Sequence, residues 1–320
     1  MKKIVISFVA LCFSLALFAQ QTTSQAHFKG FELYGTASTG VFGLNYRPMS
    51  GSQLNGPGLR VGVGGGFFMT PKWGISTGVD LSVYSAFSSI KSGSIFAYTA
   101  YDSDGLPYTF QTKVDSKIGE QDIMYRIEIP LMIHYRHYLP SGNAIYAAGG
   151  LKLSLPMASY FHVSKGTVTT SGTYNNQNVT LTDLPWLNFT TTDYKGTSGM
   201  NSSKSTYLAS FEVGYLMKLK KTTTYATFSI FGDYGLNNLR YSIEQRSLIY
   251  PTLQYGGIFN STAINQARLI SFGVKAAWHI NISGEPMSKG KKKTYEQPQK
   301  EQEAPSFNRT KGGHLRTGDN

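Results

Sequence analysis

The sequence predicts an all-β fold: an eight-stranded antiparallel up-and-down transmembrane β-barrel with long extracellular loops and a disordered C-terminal tail. Three observations predict it. Alternation of unlike faces runs longer than soluble strands sustain. Long and short connections alternate without exception. The charged residues of each strand share the face opposite its aliphatic ones.

The alternation is clearest over residues 119–156. One parity carries Ile123, Tyr125, Ile127, Ile129, Leu131, Ile133 and Tyr135, and the other carries Met124, Arg126, Glu128, Pro130, Met132, His134 and Arg136. Period-two alternation marks a strand whose two faces meet different surroundings. Soluble strands average about 5–6 residues, whereas a tilted strand crossing a bilayer needs about 9–11. The break Leu139-Pro140-Ser141-Gly142-Asn143 then turns the chain into a second such strand.

The remaining strands are expected at 31–46, 59–70, 73–87, 206–219, 224–241 and 268–282. Between them the connections 70–72, 139–143 and 220–223 are short, and 47–58, 88–117, 163–205 and 242–267 are long. Bacterial outer-membrane barrels have even strand counts, short periplasmic turns and long outer loops. A chain that enters from the periplasm makes its first, third, fifth and seventh connections outside, and those are the long ones here.

Parity then sorts the charges. Glu32 opposes Phe31 and Leu33; Arg60 opposes Val61 and Val63; Asp80 opposes Val79 and Leu81. Lys152 opposes Leu151 and Leu153; Glu212 and Lys218 oppose Phe211, Val213 and Met217. Asp233 opposes Ile230 and Tyr234, and Lys275 and His279 oppose Phe272, Val274 and Trp278. With Arg126, Glu128 and Arg136 these make an expected luminal network of opposite charges. Lipid-facing Arg or Lys would cost about 2–4 kcal/mol at mid-bilayer, so the charged face belongs inside. Eight strands leave room only for side chains, and Tyr34, Tyr84 and Tyr146 are expected to bridge the pairs. A selective ion path would favour a ring of one sign. The expected lumen is therefore plugged, with a small passive channel as the alternative.

Outside the barrel (20–282), residues 1–19 read as a signal peptide. Lys2 and Lys3 precede an apolar run over 4–18, and Ala19 precedes the polar Gln20. Cys12, the sole cysteine, lies within it, and Leu11 stands where a lipoprotein signal wants a small residue. The exported chain thus has no thiol chemistry. Residues 283–320 are poor in aliphatics and rich in Lys, Gln, Glu, Pro and Gly, and are expected to be a disordered basic periplasmic tail. Lys289, Lys291, Lys292 and Lys293 suit it to contact with anionic headgroups or cell wall, and a merely solvated tail would carry the same residues. The formal net charge of +12 is spread without a basic stripe, so nucleic acid is excluded as a partner.

Ile127-Glu128-Ile129-Pro130-Leu131, then Tyr135-Arg136, then Ala147-Ala148-Gly149-Gly150-Leu151-Lys152 resembles the small outer-membrane β-barrel family of Bacteroidetes, the PorT-like barrels. The resemblance implies a cell outer membrane location, contact with outer-membrane lipid, and insertion by the β-barrel assembly machinery.

No catalytic, metal or cofactor motif emerges. His134 and His137 lack metal-ligand spacing. The run Gly62, Gly64, Gly65, Gly66 lacks the Lys-Ser/Thr of a phosphate loop and sits on a strand. A hydrolase would need His162 beside Ser164 and a carboxylate such as Asp193. The better candidates for function are loop aromatics among polar residues, a composition that suits surface-ligand binding: Tyr98, Tyr101, Tyr108, Tyr174, Trp186, Phe189 and Tyr194. Packing of the loops on one another would use the same residues. The reading is non-enzymatic: a structural scaffold or surface-loop binding module.

Overall fold

The computed structural model describes residues 29–219, 223–241 and 247–283; the expected signal peptide and the tail from 284 onward lie outside them. The barrel is formed by β1 (Gly30–Asn45), β3 (Pro57–Phe68), β4 (Trp73–Ile90), β7 (Ile118–Tyr138), β8 (Ala144–Lys165), β13 (Thr206–Lys218), β14 (Thr224–Gly235) and β15 (Arg268–Asn281). Each pairs antiparallel with its neighbours, and β15 closes on β1. Following paired residues once round the ring, Glu32, Gly66, Ser76, Met132, Gly150, Ser210, Asp233 and Ser271, returns to β1 at Phe42, ten residues from the start. That stagger on eight strands sets a tilt of about 40°, and the interior holds side chains only.

The outward face is apolar between two aromatic levels. Phe31, Trp73, Tyr135 and Trp278 mark one, and Tyr125, Tyr207 and Tyr234 the other. Tyr125 and Tyr135 stand ten positions apart on β7, which at about 3.3 Å per residue and this tilt is about 25 Å. This is the height of the apolar band of a transmembrane barrel.

Local chemistry explains the turns and breaks. The β3–β4 turn is held by Thr70 Oγ1, which accepts from the amides of Lys72 and Trp73. In the β7–β8 turn Gly142 has φ +84°, a conformation that side chains resist, while Leu139 N donates to Asn143 O at 2.8 Å. Pro130 has no N–H to donate, and the β4–β7 ladder lapses at Gly78 and Val79. Gly64 leaves room for the Tyr34 ring, which would lie 2.5 Å from an added Cβ.

The outer connections are not loose loops. β4, β7 and β8 run on past the outer aromatic level, and β2 (Gly51–Asn55) and β12 (Ser198–Met200) pair with these extensions of β4 and β8. A second sheet joins β5 (Ile95–Tyr101), β6 (Pro107–Val114), β9 (Thr167–Tyr174), β10 (Val179–Leu181) and β11 (Thr191–Asp193), with one 3-10 turn at Pro185–Leu187. Connections 88–117 and 163–205, expected as loops, thus carry strands β5, β6 and β9 to β12. β6 and β9 pair across some sixty intervening residues, a partner that no local pattern announces.

Candidate functional site

The luminal charges fall in tiers. Nearest the short turns, Arg136 Nη2 donates to both Glu32 oxygens at 2.9 and 3.0 Å, and Tyr225 OH joins the same carboxylate. The Arg136 guanidinium lies 3.3 Å from the Phe68 ring centroid, and His279 Nδ1 reaches Glu32 Oε1 at 3.3 Å. Higher up, Lys275 Nζ donates to Glu212 at 2.9 Å, beside Tyr146 and Ser229, which donate to its other oxygen. The next tier centres on Arg60: it pairs with Glu128 and Asp233, each at 2.8 Å, between the rings of Phe42 and Phe231. Lys152 completes Asp233 at 2.9 Å, and Tyr84 donates to Glu128 at 2.6 Å. Among the described residues five ion pairs in an interior this narrow leave a cavity of about 40 Å³, lined by Asp80, Lys275, His134 and their neighbours.

Three of the eleven expected network members behave differently. Arg126 is buried but binds neutral oxygens: Ser154 Oγ and O, Ser203 Oγ and the Lys204 carbonyl. Asp80 is buried on the cavity wall, its carboxyl over Gly62 rather than in a close ion pair among the described residues. Lys218 sits half-buried at the last position of β13, below the network.

Above Arg126 the lumen changes from polar to apolar. The segment 247–267 folds into the barrel mouth, and Leu248, Ile249, Tyr255, Ile258, Phe259, Ile264 and Ala267 join Phe42, Leu44, Met124, Phe231 and Leu269 in one buried cluster. One carboxylate, Glu120, pins this stopper, and a second, Asp122, holds the Tyr46 ring that packs on Phe259. Glu120 accepts from Tyr255 OH at 2.7 Å and from the Ile258 amide at 2.9 Å. Asp122 accepts from Tyr46 OH at 2.9 Å and Asn201 Nδ2 at 2.7 Å. Both lie on β7 beyond Tyr125, outside the membrane-spanning stretch. Burial pushes both carboxyls upward from the usual range, and Asp122 raises Glu120 further by like charge. Sequence reasoning missed them, although they continue the inward parity of Arg126 and Met124.

The seven loop aromatics divide. Tyr108 and Phe189 are buried with Phe110 and Ala100, against half-buried Tyr98 and Tyr174. Tyr108 stacks on Tyr174 with centroids 5.4 Å apart, and Tyr174 OH donates to Asp102 at 3.0 Å. The backbone N–H of Leu106, with that hydroxyl, holds Asp102 below the usual carboxylate range. Tyr194 is buried against Tyr255, donates to Leu253 O at 2.9 Å, and burial pushes its phenol up to about 12. Tyr101 and Trp186 remain open, 69% and 76% exposed. Of the seven, Tyr98, Tyr108, Tyr174 and Phe189 pack in the outer sheet, Tyr194 packs against the 247–267 segment, and Tyr101 and Trp186 are left exposed.

The hydrolase constellation does not assemble. His162 Nδ1 meets Ser198 Oγ at 2.9 Å, Ser164 Oγ donates to Gly119 O, and Asp193 accepts from the Lys195 amide.

Among solved structures the chain is similar to the outer membrane protein OprG from Pseudomonas aeruginosa, at 8% identity over 81% of this chain and 100% of that one, TM-score 0.36. It is similar to Neisserial surface protein A at 9% identity, over 79% and 97% of the two chains, TM-score 0.32. A third likeness is to the translocator domain of the autotransporter NalP from Neisseria meningitidis, at 8% identity over 86% and 95%, TM-score 0.25. No family model matches the sequence, and no curated protein matches it. At identities and scores this low the likeness carries no argument, and the barrel form rests on the strand pairing.

Proposed function

We propose that the protein is a non-enzymatic outer-membrane β-barrel of the PorT-like kind, exported by a cleaved signal peptide, with its tail in the periplasm. It acts as a closed scaffold that presents the outer sheet at the cell surface as a binding module. The observation that carries this reading is the filled interior: ion pairs occupy the lower lumen and the 247–267 segment closes the mouth. The cavity of about 40 Å³ between the ion pairs has room for a few waters at most, which favours a closed lumen over a channel. Tyr101, at the end of β5, and Trp186, in the 3-10 turn, are the aromatic anchors left for a surface ligand.

Topology tests the reading. An epitope tag placed in the β9–β10 turn at Asn175 should be labelled on intact cells, and one at Gly142 only after the outer membrane is opened. The reverse pattern, or a protein that stays soluble, would overturn it.

A further inference from the structure

The outer rim is not uniform around the barrel. Over β13, β14, β15 and β1 it turns basic directly above the aromatic level. Arg268 lies two residues past Ile270, with its guanidinium 5.7 Å from the Tyr234 ring centroid and Nη1 donating to Tyr234 OH at 3.3 Å. Lys204 lies three residues before Tyr207, its Nζ 5.2 Å from the Tyr241 ring. Arg47 is exposed two positions beyond Asn45, the residue that pairs with Arg268. Among the described residues none of these three cations has a carboxylate within 4.0 Å. A groove of about 520 Å³ opens beside them, walled by Met49, Tyr241, Ile264 and Lys204, with Arg240 at its back held by the carbonyls of Ser261 and Ile264. At the matching level of β4, β7 and β8 the outward residues are Phe87, Ile123, Met157 and Tyr160, with no cation.

Charge held just above an apolar wall suits a ligand that is anionic at one end and hydrocarbon below. We propose that this sector is a docking site for a phosphate-bearing lipid of the outer leaflet. Its phosphate lies between Arg268 and Lys204, with Arg47 above, and its acyl chains lie on Phe272, Val274 and Ile230. Arginine supplies paired donors that match phosphate oxygens, and lysine a mobile point charge. Basic residues at a bilayer surface are drawn to anionic headgroups within a Debye length. The inference rests on the outer-membrane orientation proposed above. Free phosphate lacks the hydrocarbon that covers the apolar wall, so the ligand is the lipid.

The full chain, folded in an uncharged detergent, is titrated with a bis-phosphorylated acylated glucosamine disaccharide, with its dephosphorylated counterpart, and with inorganic phosphate. Binding is read by native mass spectrometry. The expected result is at least tenfold tighter binding of the phosphorylated lipid than of the dephosphorylated one, and no saturable binding of inorganic phosphate at millimolar concentration. In Arg47→Ser/Lys204→Ser/Arg268→Ser the preference should fall to within twofold, while Lys113→Ser on the outer sheet leaves it intact. Lys204→Glu serves as the second variant should the triple one fail to fold. Equal binding of the two lipids by the wild type, a tenfold preference kept in the variants, or equally tight inorganic phosphate would overturn the site. Heat-modifiable migration on a gel is scored separately: its absence fails the barrel reading, and its presence without a lipid preference fails only the docking site.

Discussion

Replacing Arg60 by alanine removes the centre of the largest luminal tier. The guanidinium holds Glu128 and Asp233 at 2.8 Å each and donates from Nε to Ser82 Oγ at 3.0 Å. Asp233 keeps Lys152, Ser210 and Ser271, so its charge stays compensated. Among the described residues Glu128 then keeps only the Tyr84 hydroxyl, and it is fully buried. Removing one partner of a buried pair typically costs about 3–5 kcal/mol, mostly because the other charge is stranded, and Arg60→Ala should fall in that range. Arg60→Met/Glu128→Gln removes both charges and fills the space between Phe42 and Phe231 with a flexible apolar chain; it should recover all but about 1–2 kcal/mol. The assay is urea unfolding in lipid vesicles, read by the compact and extended bands of unboiled samples and by tryptophan fluorescence. A loss under about 1 kcal/mol for Arg60→Ala, or a double variant no better than the single one, would refute the placement of this charge tier inside the barrel.

Further outcomes follow from the same structure. Val61 neighbours Arg60 but faces lipid near mid-bilayer, so Val61→Arg should cost about 2–4 kcal/mol in the same assay; a neutral effect would deny the outward face its bilayer. Glu120 titrates in the folded protein above the ordinary carboxylate range, so its contribution is fully present below that range and is lost as pH rises through the raised value. Amide exchange at Ile258, corrected for intrinsic rates, should therefore speed up from pH 5 to pH 8, by up to about tenfold for each pH unit by which the carboxyl is raised. Glu120→Gln should flatten that slope, and an unchanged slope would show that another group controls the stopper. Tyr101→Ala/Trp186→Ala should leave stability within about 0.5 kcal/mol, as expected of exposed side chains. Phe110→Ala, in the buried cluster with Phe189, should cost about 3–5 kcal/mol; equal effects of the two would contradict the division of the loop aromatics.

Much of the barrel was legible because its signal is local. Each strand carries its own period-two record of lipid and lumen, so Arg60, Glu128, Arg136 and Asp233 could be placed on the inner face without knowing their partners. Which acid meets which base was not legible, since Arg60–Asp233 and Glu32–Arg136 depend on the stagger of the whole ring. The stopper was hidden for another reason: 247–267 has no alternation, and its burial comes from the shape of the mouth it enters. Glu120 and Asp122 were within reach, as the inward parity of β7 runs on through them. The fate of Tyr108, Phe189 and Tyr194 was not, because it turns on the distant pairing of β6 with β9 and on the contact of Tyr194 with Tyr255.

A closed lumen is the claim on which the rest depends, and planar-bilayer recording of the full chain tests it most directly. The account predicts insertion, verified by protease protection, with no steady conductance step at moderate voltage and neutral pH. A reproducible long-lived open level from the inserted wild-type protein would contradict it, and would make the ion-paired interior a conducting path.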